Sequence, residues 1–277
     1  MAPDLAASQR SDLAVGDRVE LIRDPEGWVI LGVRPRQSVL SRPDSGPGGS
    51  RVQRVVAANV DRVVVVAAAT QPPLRPRLLD RYLVAAEHGG CRAAIAITKI
   101  DLLEDGEMAA LQEQLEPYAA LEVPVVPCST IDRRGIEELA ARLREETAVF
   151  VGQSGVGKSS LLNALEPDLA IETRDTGRAR KGRHTTTAST LHFLPNETRI
   201  IDTPGIREFG LWRLSREDLR AYFHEFDAFA ASCRYADCAH DLEPACAVRE
   251  AAGSGRIPPM RFDSYRRLLA TLGPRSS

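Results

Sequence analysis

Two short motifs, and the order in which they occur, constrain the fold of this chain more than any other feature. The first is Thr98-Lys99-Ile100-Asp101, which ends an apolar, strand-like run. The second is the loop of residues 152–159, which has the pattern G-x-x-x-x-G-K-S and lies between an apolar strand and a helix. That pattern in that context is typical of a phosphate-binding loop, or P-loop, whereas a glycine-rich turn without function needs neither flanking element.

The P-loop pattern predicts how a nucleotide triphosphate would be held. Its glycines let backbone N–H groups approach the phosphates, while Lys158 neutralises β/γ charge and Ser159 holds Mg²⁺. The predicted nucleotide-binding residues here are Gly152, Gln153, Ser154, Gly155, Val156, Gly157, Lys158, Ser159 and Ser160.

The earlier motif predicts which base is bound. The Asp101 carboxylate can accept hydrogen bonds from both N1–H and N2–H₂ of guanine, and adenine offers no such pair of donors. The stem of Lys99 can pack along the base, and Ile100 lies between the two. Thr98 replaces the usual asparagine, so one amide donor is lost. Ser129 follows the next strand, at the distance expected for a second loop against the base.

The order of these motifs is reversed relative to an ordinary small GTPase, in which the P-loop comes first. The chain is therefore predicted to be a circularly permuted GTPase. Asp202 and Gly205 belong to an Asp-x-x-Gly motif that follows a strand-like run. Asp202 is expected to hold Mg²⁺ through water, and the Gly205 N–H to meet the γ-phosphate. In this permuted order the motif leads directly into the C-terminal region.

Residues near this motif affect the expected rate of GTP hydrolysis. Ile206 stands where ordinary GTPases have a water-orienting glutamine, so slow intrinsic hydrolysis is expected. His184, in a basic segment at residues 178–187, is one candidate to assist, and a group from a partner is another. One of the threonines Thr185, Thr186 and Thr187 of this segment is expected to close onto Mg²⁺, and Thr186 is taken as the candidate. The basic run either contacts RNA phosphate or is a solvated loop.

Alternating strands and helices predict an α/β fold with a mostly parallel sheet covered on both faces. The strand candidates are residues 62–69, 93–98, 123–127, 148–152 and 198–202, and the helix candidates are residues 78–88, 107–118, 136–146 and 158–165. We divide the chain into a small N-terminal β module (residues 1–57), the permuted GTPase domain (58–214) and a helical metal-binding domain (215–277). Short runs at 17–21, 27–31 and 51–57 suggest that the first module is a barrel or sandwich.

Four metal-ligating residues lie close together near the C-terminus, namely Cys233, Cys238, His240 and Cys246. A Cys₃His set is common for a closed, structural Zn²⁺ site. We therefore predict one Zn²⁺ per chain, which cross-links a segment too small to build its own core.

Bulk composition limits the protein class but not the partner. The 277 residues are 43% hydrophobic and 27% charged, with a net charge of −2, as in an ordinary globular protein. The longest apolar run is too short to cross a bilayer, and the N-terminus carries no secretory signal pattern. A cytoplasmic location is expected, with no membrane partner.

These motifs together resemble the circularly permuted, ribosome small subunit-dependent GTPases. The resemblance rests on the base motif, the P-loop, residues 182–187, residues 202–211 and the Cys/His cluster, and extends from about residue 15 to the C-terminus. It implies an N-terminal OB-fold, a permuted GTPase domain and a C-terminal zinc domain. It also implies GTP hydrolysis stimulated by the small ribosomal subunit, rRNA binding and a late role in maturation of that subunit. In the family the histidine at the position of His184 is proposed as catalytic.

The sequence also allows alternatives for the N-terminal barrel and for the function. An OB-fold needs five strands, and only three or four are visible, so the N-terminal barrel is expected to be incomplete. A zinc-stabilised RNA-binding module, in which nucleotide is only structural, is one alternative function. A metabolic P-loop kinase is another, although the Asp101 motif and the missing substrate lid argue against it. We expect a monomer that binds GTP or GDP.

Overall fold

The computed structural model describes residues 13–43, 53–169, 171, 189–202, 211 and 214–272. The N-terminal strands are β1 (Val19–Asp24), β2 (Gly27–Val33), β3 (Val39–Pro43) and β4 (Gln53–Ala58). The central strands are β5 (Arg62–Ala68), β6 (Arg92–Thr98), β7 (Val125–Pro127), β8 (Thr147–Val151), β9 (Thr190–Phe193) and β10 (Arg199–Asp202). The helices are α1 (Pro76–His88), α2 (Glu107–Ala119), α3 (Ile136–Arg142), α4 (Lys158–Leu165), α5 (Asp227–Ala230), α6 (Ala247–Gly253) and α7 (Pro259–Thr271).

The central sheet has six strands in the order β7-β6-β5-β8-β10-β9. Strand pairing is parallel except between β9 and β10. Side chains alternate across β5: Val63 and Val65 join one apolar core, and Val64 and Val66 join the other. This two-residue period explains the continuous apolar run, since both faces of the strand are buried. The predicted α/β fold is confirmed.

The two cores are closed by helices on opposite faces of the sheet. On one face α1 and α2 contribute residues such as Leu79 and Tyr118, and on the other α3 and α4 contribute residues such as Leu139 and Leu161. Helix α3 ends at Arg142, four residues before the expected end. Glu145 has φ 63°, outside the helical region, so the chain turns there before entering β8.

The N-terminal strands form two separate antiparallel hairpins, β1–β2 and β3–β4. Strand β3 had no clear sequence signal. It joins the main core through Leu40, which is fully buried. Both faces of β1–β2 are exposed, and the Trp28 side chain is 68% accessible. Among the described residues these two strand pairs do not close into a barrel.

The C-terminal region packs against α1 around a third apolar core. Short 3₁₀ turns, Leu219–Tyr222 and His224–Phe226, lead into α5. Aromatic rings fill the centre, with Phe223 and Phe226 both edge-on to Tyr265. Val84 of α1 belongs to the same core, so this region is packed onto the central domain. No helix among the described residues is long and apolar enough to span a membrane.

Candidate nucleotide and metal sites

The sheet brings the predicted nucleotide-binding segments to one edge. Thr98 ends β6, the P-loop follows β8, and Asp202 ends β10. Because these strands are parallel, their carboxyl ends share one edge, where ligands bind in open α/β sheets. Segments that are separated along the sequence are thereby brought to the same edge of the sheet.

The P-loop follows its expected path because of its glycines. Gly152 has φ 148°, and a Cβ there would lie 2.1 Å from the Val66 carbonyl oxygen. Gly157 has φ 90° and stands immediately before α4, so Lys158 begins that helix. The Lys158 ammonium donates to the carbonyl oxygens of Gly152 at 2.8 Å and Gln153 at 2.6 Å. The Lys158 side chain therefore folds back over the P-loop, which it would stabilise when phosphate is bound.

Two side chains tie the base motif to the P-loop. The Thr98 hydroxyl lies 2.5 Å from the Val156 carbonyl oxygen and 3.2 Å from that of Ala67. The Lys99 ammonium donates to the Gly155 carbonyl at 2.7 Å and also to that of Gln71. Thr98 therefore replaces the usual asparagine with a hydroxyl that still bridges to the P-loop. No feature of the sequence indicated that the loop at Gln71 would contact the base motif.

The second base loop is shaped by Ser129. Its N–H donates to the Arg134 carbonyl at 3.0 Å, and its hydroxyl accepts from the N–H groups of Ile131 and Asp132. The Ile100 N–H donates to the Cys128 carbonyl at 3.4 Å, which joins this loop to the Asp101 segment. A hydrogen bond from the Arg134 side chain lowers the pKa of Asp132 to about 2.

Of four further predicted site residues, the structure describes Asp202. Asp202 is half-buried at the end of β10 and pairs in register with Thr190. His184, Thr186 and Gly205 lie outside the described residues. Their roles in catalysis, Mg²⁺ binding and γ-phosphate sensing stay predictions.

The four predicted metal ligands converge at one point. Their ligand atoms all lie within 4.8 Å of one another. His240 Nδ1 is 3.6 Å from Cys233 Sγ and 3.5 Å from Cys246 Sγ. Three of the four side chains are buried, and Cys233 is half-buried. This geometry fits a small tetrahedral cation with all positions filled by protein, as at structural zinc sites.

The surroundings of the cluster suit a cation. Burial raises the pKa of the Cys238 thiol, so a positive charge is needed to hold thiolate there at neutral pH. Burial lowers the pKa of His240, which favours the neutral imidazole that ligates metals. The Arg249 N–H, at the start of α6, donates to Cys246 Sγ at 3.4 Å. The cluster could thus hold a metal ion, and it is joined to a helix.

A buried ionic network joins the C-terminal region to α1. Arg261 of α7 donates to Asp80 of α1 at 2.5 Å and to Glu225 at 2.7 Å. Its guanidinium also lies over the Phe223 ring, 4.6 Å from the centroid. Sequence reasoning missed this network, because a lone aspartate in an amphipathic helix looks like a surface residue. It fixes the C-terminal region to the domain that carries the P-loop.

Comparison with known proteins decides the family. The profile of the family described as RsgA GTPase matches residues 33–212. The chain belongs to the RsgA GTPase family. A "Small ribosomal subunit biogenesis GTPase RsgA" from Gemmatimonas aurantiaca is 44% identical over 268 residues, which cover 95% of this chain and 86% of the relative. The protein of that name from Dickeya dadantii is 43% identical over 94% of this chain and 75% of its own length.

Solved structures give the same result for the fold. The crystal structure of YjeQ from Thermotoga maritima is 33% identical to this chain, with a TM-score of 0.78 over 96% of this chain and 86% of YjeQ. YloQ, described as a circularly permuted GTPase, is 30% identical, with a TM-score of 0.72 over 95% of this chain and 82% of its own. As a family member this protein is a circularly permuted GTPase that hydrolyses GTP.

Proposed function

We propose that this GTPase acts as a checkpoint late in maturation of the small ribosomal subunit. GTP would favour binding to rRNA, and hydrolysis would release the protein. The curated relatives are named small ribosomal subunit biogenesis GTPases. One observation carries the proposal: the metal-binding region is attached to the GTPase domain in two ways. It follows the Asp202 motif in the chain, and it packs against α1.

In the proposed nucleotide site, each residue has a distinct role. Asp101 reads the guanine edge, and Lys99 and Thr98 hold the base loop against the P-loop. Lys158 and the backbone N–H groups of the P-loop stabilise the phosphates, since charge develops there in phosphoryl transfer. Ser159 and Asp202 would hold Mg²⁺, which neutralises phosphate charge when bound.

Hydrolysis itself is proposed to depend on the partner. Ile206 has no polar group to orient water, so turnover by the protein alone should be slow. His184 is the proposed catalytic residue, and a group supplied by the partner is the alternative.

We propose that the metal-binding region binds RNA. Zn²⁺ is the metal that the Cys₃His donor set favours, and its role would be structural. Several arginines of this region have exposed side chains that can contact phosphate, including Arg266 and Arg267. We further propose that residues 1–57, 58–214 and 215–277 act as three functional units, and that the protein works in the cytoplasm.

The test is GTP turnover by the zinc-loaded protein with and without purified small ribosomal subunits, and with ATP in place of GTP as control. Strong stimulation with GTP alone is expected. Unchanged turnover would contradict subunit dependence, and salt-sensitive RNA binding that ignores the nucleotide would favour a plain RNA-binding module instead. His184→Ala should then abolish stimulated turnover but leave GTP affinity unchanged, because the histidine is proposed to act on water.

A further inference from the structure

The helix that follows the P-loop carries an asparagine that clamps a residue beyond the end of the helix. Asn163 Nδ2 donates to the Ile171 carbonyl at 2.9 Å, and the Ile171 N–H donates to Asn163 Oδ1 at 2.9 Å. The amide thus satisfies both main-chain groups of Ile171, as a neighbouring strand of a sheet would. Such a two-point contact fixes the direction of the chain at Ile171 as well as its position.

Asn163 lies on the same face of α4 as a proposed Mg²⁺ ligand. It follows Ser159 by four residues, and residues at that spacing lie one above the other on a helix. Four residues advance along a helix by roughly 6 Å. The clamp on Ile171 is therefore about one helical turn from the hydroxyl that would hold Mg²⁺.

The side chain of Ile171 holds the same point of the chain in a second way. It is half-buried and packs against the apolar core that α3 and α4 close. A 3₁₀ turn, Pro167–Leu169, follows the end of α4, and the Leu169 N–H donates to the Glu166 carbonyl at 3.2 Å. The chain therefore leaves Ile171 from a point that is fixed relative to the P-loop helix.

The next part of the chain contains the histidine and the threonines predicted to act at the γ-phosphate and Mg²⁺. These residues belong to the range 172–188, which lies outside the described residues. Where the description resumes, Thr190 of β9 pairs in register with Asp202, the second residue expected at Mg²⁺. The range is thus joined at one end to the helix of Ser159 and at the other to the strand of Asp202. Asn163 supplies the first of these two attachments.

We propose that Asn163 is a positioning residue for the GTP-bound state, because it fixes where the chain departs toward the threonine that reaches Mg²⁺. This inference rests on the proposed role of one of the threonines at 185–187. In GTPases the switch segment is ordered by its contacts with the γ-phosphate and Mg²⁺, and hydrolysis releases it. Asn163 therefore contributes to affinity for GTP and not to affinity for GDP, which the P-loop and the base motif hold.

The test is calorimetric binding of GDP and of the non-hydrolysable GTP analogue GMPPNP, each with Mg²⁺, to wild type, Asn163→Ala and Asn163→Asp. The alanine removes both hydrogen bonds, and the aspartate keeps the size of the side chain but places an oxygen against the Ile171 carbonyl. Both variants should bind GMPPNP about tenfold more weakly, within the range for loss of two net hydrogen bonds. GDP affinity should not change, and with EDTA in place of Mg²⁺ the difference for GMPPNP should vanish.

Asn196→Ala is the matched control. The Asn196 side chain also binds the main chain, since it accepts from the Thr198 N–H at 3.3 Å and donates to the Ala140 carbonyl at 3.5 Å. It precedes β10, at the sheet edge opposite the proposed nucleotide site. This control should keep the wild-type ratio of GMPPNP to GDP affinity, even with a lower melting temperature. If Asn163→Ala lowers the melting temperature and weakens both nucleotides equally, its role is structural and the proposal is overturned.

A further variant separates failure of this inference from failure of the threonine assignment. In it Thr185, Thr186 and Thr187 are all replaced by alanine. If this variant loses GMPPNP affinity while Asn163→Ala binds GMPPNP like wild type, the role of Asn163 is refuted and the threonine assignment stands. If neither variant changes binding, the threonine assignment is wrong and the inference is lost with it.

Discussion

The buried arginine that joins α7 to α1 allows a stability prediction with an internal control. Arg261 is 2% accessible, and it pairs with Asp80, which is fully buried, and with Glu225. Arg261→Met keeps the length and apolar contact of the side chain but removes its charge. Arg267→Met, on the same helix, removes an exposed pair with Asp263. The two substitutions are chemically identical and differ in burial.

The two substitutions should lower the free energy of unfolding by clearly different amounts. Removal of one partner from a buried ion pair leaves an uncompensated charge and costs about 3–5 kcal/mol of unfolding free energy. An exposed pair such as that of Arg267 contributes roughly 0–1 kcal/mol. Since whole domains are stable by about 5–15 kcal/mol, Arg261→Met should weaken this protein severely. Asp80→Asn in the Arg261→Met background should recover part of the loss, because the stranded carboxylate is then neutral.

The loss of unfolding free energy in Arg261→Met should also depend on pH. Burial raises the pKa of Asp80 even though Arg261 opposes that shift, so the folded state binds this proton more tightly than the unfolded state. Stability from such a group falls as pH rises through the folded pKa. Without Arg261 the pKa of Asp80 rises further, so the destabilisation should be larger at pH 8 than at pH 4, close to the ordinary aspartate pKa of 3.8.

The assay is urea unfolding followed by circular dichroism at both pH values. Equal unfolding free energies for Arg261→Met and Arg267→Met, or a loss that does not change with pH, would refute the argument. The first result would mean that the network is not a buried electrostatic contact. The second would mean that Asp80 is not the group left uncompensated.

Two further predictions concern the nucleotide and metal sites. Thr98→Val removes the hydroxyl that reaches the P-loop carbonyl of Val156, and GDP affinity should fall about tenfold, since a buried acceptor loses its donor. Thr98→Ser, which keeps the hydroxyl, should bind GDP normally, and loss in both variants would point to packing instead. Cys238→Ser should lower the bound zinc measured by atomic emission and lower the melting temperature, because metal binding contributes to folding of that region. Unchanged zinc content in Cys238→Ser would remove this residue from the ligand set.

Much of the fold was predictable because its signals are local. The five central strands expected from the sequence all occur, within a few residues of their predicted bounds. Apolar runs that alternate with amphipathic helices leave few arrangements other than a parallel sheet. The edge strand Thr190–Phe193 had no such signal, because a short strand with half its side chains exposed resembles a loop.

The sequence by itself determined the type of site and the permuted order of its parts. A P-loop and a base motif require particular residues at fixed short spacing, so both can be read without knowledge of the fold. The Cys₃His cluster is equally local, and the structure brings its four side chains together.

Only the tertiary structure decided how these parts are joined. The contacts of Thr98 with Val156, of Lys99 with Gln71 and of Arg261 with Asp80 each link residues far apart in the chain. No local pattern marks such partners, because each pair is selected by the packing of whole strands and helices. A buried polar group must find a partner wherever the fold brings one within reach, and that distance is set by three-dimensional packing.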